Sequence, residues 1–146
     1  MAASAHAQGL CKRGRLPDSK CTPGRIFRGV TARAVCTPGY SRRVRRVSEA
    51  TKREVYRRYG VKTHSTGQYE VDHLIPLELG GSNSIRNLFP EAALPRPGFH
   101  EKDLLENRLH RKVCAGQMSL ASAQRQFKRN WLLAYRREFG PVLLPD

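Results

Sequence analysis

Two adjacent residues, Asp72 and His73, lie in the segment YEVDHLIPLELGGSNSIRNLF, residues 69–89. An imidazole, with an ordinary pKa of about 6.5, can take a proton from water near neutrality. A carboxylate beside it is a hard oxygen donor for a divalent cation, and such a cation can neutralise the charge growing on a leaving oxygen. The pair therefore suits metal-assisted hydrolysis, with His73 activating the water. Successive side chains leave a strand on opposite sides, so one site uses both only where the strand ends or bends. Pro76 and the Gly80-Gly81 turn supply such an ending. Glu70, two residues before Asp72, shares its strand face, either to support the site or to pair with an arginine.

The elements around this pair follow from periodicity and punctuation. Residues 68–74 read as a strand, and 85–89 as a second short strand returning after the glycine turn. Pro90, Pro95 and Pro97 predict an irregular stretch beyond it. A helix is expected over 100–114, with Leu105, Leu109 and Val113 as its apolar stripe. Its other face carries His100, Asp103, Asn107, His110 and Cys114 at spacings of three and four. A last helix should start after Ser119 and end near Gly140, burying Ala123, Phe127, Trp131, Ala134 and Tyr135. Upstream, Ser48 is a good N-cap, Glu49 suits the first turn and Gly60 suits the position after the last, which predicts a helix between them. Residues 1–47 show little periodicity and read as loops and short extended pieces. The tetrapeptide CTPG, at 21–24 and 36–39, offers two tight turns in which proline presets φ and glycine accepts a positive one.

Charge narrows the class of partner. Lysine and arginine number 27 against 12 aspartate and glutamate, a formal net charge of +15 over 146 residues. Such a surplus repels itself unless something anionic shares the surface, and nucleic acid is the first candidate, ahead of an anionic envelope. Lys52 and Arg53 on the first helix join Arg42, Arg43, Arg45 and Arg46 as candidate phosphate contacts. No stretch approaches the roughly 18 apolar residues of a membrane span. The four cysteines contain no CxxC pair, which argues against a structural zinc site and for two disulfides in a secreted or periplasmic protein. Of three connectivities, Cys11–Cys21 with Cys36–Cys114 is preferred; free thiols in a reducing compartment are the alternative. Ala5-His6-Ala7 resembles the end of a secretory signal without its basic and apolar parts, so residues 1–20 are expected to be a leader remnant or a flexible arm, and 21–146 one domain.

The Asp-His step, the Leu-Ile-Pro-Leu run, the Gly-Gly-Ser-Asn turn and Asn87, fourteen residues after His73, together resemble the HNH endonuclease superfamily. The chain is more closely similar to small exported bacterial HNH-like proteins that share CTPG, a second Cys-x-Pro-Gly-Tyr, VDHLIPLELGG, KD-x-LENRLH-x-x-VC and W-x-x-AY. All of these occur here, between about residues 16 and 135. The resemblance implies an α+β fold: a small ββα-metal core of short β-hairpin plus helix, with flanking helices and an irregular N-terminal arm. It implies that His73 is the general base, that Asp72 and His100 ligate one divalent ion, and that Asn87 orients the His73 ring or its loop. Mg2+ or Mn2+ would be the ion, with Zn2+ or Ni2+ next. Asn87 and His100 are thirteen residues apart, wider than in familiar members, so Asp103, Glu106 and His110 are substitutes for the second ligand. The implied activity is hydrolysis of DNA, with RNA next, at little sequence specificity and as a monomer. The alternative is a catalytically silent basic protein binding DNA or the envelope on the same fold.

Overall fold

The computed structural model describes residues 11–142. The first half of the expected leader or arm therefore falls outside the described residues. Among the described residues the fold is α+β, a two-stranded antiparallel sheet with five helices. In chain order these are α1 (Ala32–Val35), α2 (Tyr40–Val44), α3 (Glu49–Arg58), β1 (Tyr69–His73), β2 (Leu88–Ala92), α4 (Phe99–Cys114) and α5 (Leu120–Phe139). Single 3-10 turns at Leu77–Leu79 and Ile85–Asn87 join the strands.

Local chemistry sets most boundaries. Ser48 caps α3 by accepting the Thr51 N–H, and Gly60 follows it at φ 68°. Ser119 caps α5 in the same way through the Ser122 N–H. Asn130 interrupts α5 with extended backbone, and its side chain accepts the Leu133 N–H, so the expected single helix is two segments joined at a kink. The N-terminal region departs from a purely irregular reading. Thr31 caps α1 through the Ala34 N–H, and Gly39 at φ 82° turns the chain into α2. Such one-turn helices are too short to leave a periodic signal.

The second strand also differs from expectation, lying over Leu88–Ala92 and continuing through Pro90. Leu74 N–H bonds to the Asn87 carbonyl and Ala93 N–H to the Gln68 carbonyl, so hydrogen-bonded pairs fall on the even-numbered positions of β1. Pro90, opposite Val71, occupies a non-bonded position where its missing N–H costs nothing.

One core joins α4, α5 and the sheet. Leu105, Leu109, Phe127, Trp131 and Phe89 are each fully buried. Two disulfides, Cys11–Cys21 and Cys36–Cys114, staple the arm. The second ties the end of α1 to the end of α4 across 78 residues of sequence. Gly81 is where the strand connection folds back on itself: a Cβ there would lie 1.7 Å from the Ile75 carbonyl oxygen. Among the described residues no helix is long and apolar enough to cross a membrane.

Candidate active site

β1, the first half of α4 and the segment after α2 enclose a polar cleft of about 420 Å³. The antiparallel register puts Glu70, Asp72, Phe89 and Glu91 on one sheet face. Lys102 and Glu106 of α4 meet that face, the lysine reaching both Asp72 and the His73 carbonyl. Asp103 and Asn107 of the same helix also line the cleft, with Glu78 from the 3-10 turn and Arg45 from the arm.

His73 stands at the end of β1, 4% exposed, where the strand stops and its side chain can share a cleft with that of Asp72. Its Nε2 lies 3.1 Å from Asn83 Oδ1. The Asn83 amide is oriented by donating Nδ2–H to the Val44 carbonyl at 2.7 Å, so the oxygen faces the ring. The imidazole therefore carries its proton on Nε2 and keeps Nδ1 as the free base. Burial, with Arg45 and Lys102 nearby, pulls its pKa below the ordinary histidine value despite the opposing pull of Asn83 and Asp72. The ring is neutral at pH 7.

Asp72 Oδ1 accepts the His73 N–H at 2.8 Å, and Oδ2 is ion-paired with Lys102 Nζ at 2.9 Å. Burial works to raise its pKa, but the ammonium and neighbouring groups overcome that and hold the carboxylate ionised. The other acids are crowded. Burial, then the charges of Asp72 and Asp103, pushes Glu70 up to about 7. Burial pushes Glu106 up to about 8 against the pull of Lys102. Glu91, 1% exposed, is raised well above its usual range by burial and by Asp72. Asp103 and Glu78 are raised too, chiefly by burial. The cleft thus holds more potential negative charge than Lys102 and Arg45 neutralise.

Not every expected residue joins this cleft. His100 is exposed, its ring 4.3 Å from that of Phe99, and it does not line the cleft. The first turn of α4 aims it at solvent, while Asp103 and Glu106 reach the cleft. His110 donates Nε2–H to the Val35 carbonyl at 2.8 Å and sits beside the Cys36–Cys114 disulfide. Cys36, His110 and Cys114 place donor atoms within 4.8 Å of one another, a trio that could hold a metal ion only with both sulfurs as thiolates. Asn87 is fully buried, and its side-chain hydrogen bonds go to main-chain groups rather than to the ring. Its Nδ2 donates to the Ile75 and Ser82 carbonyls, and its Oδ1 accepts from the Ile75 and Arg25 N–H groups, pinning the loop after β1. Arg42, Arg43, Arg45, Arg46 and Arg53 are exposed; Lys52 is half-buried and paired with Glu49.

Two residues outside the expected set matter most. Asn83 was legible only as a turn former in Gly-Gly-Ser-Asn. Lys102 left a usable trace: it falls three residues before Leu105 and seven before Leu109, on the buried stripe rather than the polar face. Comparison of the chain with protein-family models, curated proteins and solved structures finds no match.

Proposed function

We propose that the protein is an HNH-like, metal-dependent endonuclease that hydrolyses phosphodiester bonds of DNA, and less readily RNA, on a ββα-metal core. The observation that carries this reading is the buried His73 imidazole, held by Asn83, itself oriented by the Val44 carbonyl, on the wall of a cleft bordered by an arginine-rich arm. His73 Nδ1 takes the proton of the attacking water. Arg45 meets a phosphate oxygen at the rim, and the exposed Arg42, Arg43 and Arg46 hold flanking phosphates. Such contacts read charge rather than sequence, so cutting is weakly specific.

Asp72 with His100 does not fit a metal ion, because His100 lies outside the cleft. Asp72 with Glu70 and Asp103 does fit in chemistry: hard oxygens, crowded and short of positive charge. Mg2+ or Mn2+ held there would supply charge neutralisation for the leaving oxygen. The donor set disfavours Zn2+ and Ni2+, which prefer nitrogen or sulfur. Disulfides suit an oxidising compartment, and we place the enzyme in the periplasm or outside the cell.

Incubation of supercoiled plasmid with Mn2+ tests this, with chelator and with His73→Ala as controls. Cutting that needs both metal and His73 supports the enzyme. Tight DNA binding with no cutting supports the second reading, a silent polyanion binder, which the Lys102 ammonium beside Asp72 Oδ2 favours.

A further inference from the structure

Lys102 is a lysine with no solvent exposure at all, in a chain whose other cations are mostly at the surface. Its ammonium is held at 2.7 Å by the His73 carbonyl, at 2.7 Å by Glu106 Oε2 and at 2.9 Å by Asp72 Oδ2. The Phe127 ring closes the inner side, with its centroid 5.3 Å away. Two carboxylates and a main-chain carbonyl converging on one buried cation is the oxygen set that hard metal ions take. The cage offers two carboxylates to one ammonium, so a divalent ion, with both of them ionised, would balance it better than the ammonium does. A surface lysine paired with Glu106 at i+4 would need none of these features.

We propose that the cage formed by Asp72, Glu106 and the His73 carbonyl is a cation site whose resident cation is Lys102. The tethered ammonium takes the place of an inner metal ion, fixes the strand end that carries His73 against α4, and leaves Asp72 open to a divalent ion from the cleft side only. Removal of the lysine turns the cage into a divalent metal site. The proposal shares Asp72 with the nuclease reading but does not depend on it, since neither measurement below uses nucleic acid.

The test uses the full chain and its Lys102→Ala variant, with Mn2+ as the probe. Bound Mn2+ is counted by equilibrium dialysis with electron paramagnetic resonance, and thermal unfolding is followed in chelator and in excess Mn2+. Lys102→Ala should bind one more Mn2+ per chain than the wild type. Its Tm should rise in a hundredfold excess over Kd by roughly 5–10 °C more than that of the wild type. Lys102→Ala/Glu106→Gln, with the cage charge reduced, should lose the extra ion. Lys102→Gln, which keeps a hydrogen-bond donor and is milder to folding, should gain the ion as Lys102→Ala does. A Lys102→Ala chain that folds only with Mn2+ supports the proposal equally. It is overturned if folded Lys102→Ala or Lys102→Gln binds no more Mn2+ than the wild type. It is also overturned if both variants stay unfolded with and without the metal.

Discussion

Two asparagines within five residues of each other do different work. Asn83 bridges the His73 ring and the Val44 carbonyl, so it sets which imidazole nitrogen is free. Replacing it with leucine releases the ring, and kcat on DNA should fall by about 10- to 100-fold while stability changes by less than about 1 kcal/mol. Asn87→Ala should act the other way. It leaves buried main-chain groups of the loop without partners and should cost roughly 3 kcal/mol in urea unfolding. Matching stability losses in the two variants would contradict this division. The pH profile follows from the same residue. A base works in its neutral form, and burial holds the His73 pKa below its ordinary value. The acid limb of kcat/KM should therefore have its midpoint below about pH 6.5, with the rate falling as pH drops through it. A midpoint above that value would count against His73 as the base.

The elements that hold these residues were unevenly visible in the sequence. α3 was legible from its capping residues, α4 from an apolar stripe over several turns, and α5 from both a capping serine and a stripe. β1 was legible from its alternation and from the proline and glycines that stop it. β2 was displaced by three residues because Pro90 reads as a strand breaker unless the hydrogen-bonding parity of the pair is known. His100, expected as the second metal ligand, stands outside the cleft lining for a related reason. Spacing from Asn87 locates the start of a helix, but only packing decides which side of its first turn faces the strand. What positions the site is then a matter of clamps, and the Cys36–Cys114 disulfide is the longest. In the chain-entropy account, closing the 78-residue separation contributes roughly 4.5 kcal/mol, against roughly 2.7 kcal/mol for the 10-residue Cys11–Cys21 separation. Cys36→Ser/Cys114→Ser should lower stability by more than Cys11→Ser/Cys21→Ser in guanidinium unfolding. The reverse order would mean that the arm, rather than the α1–α4 link, carries the stability.

Over the whole molecule, charge is sorted: a cleft crowded with carboxylates is set into a body of net charge +15. On the proposed reading the basic exterior would draw in a polyanion, and the arm between α2 and α3 brings Arg45 to the edge of the acidic cleft. If about five phosphates are neutralised, log K for duplex DNA should fall against log salt with a slope of about −4.5. A complex indifferent to salt would contradict an electrostatic grip. The central claim, that a neutral His73 imidazole activates water, is tested most directly by single-turnover cleavage of a short DNA duplex by His73→Ala, with and without added imidazole. The account predicts a rate at least about 100-fold below wild type that free imidazole partly restores. A variant that cuts at the wild-type rate would contradict it.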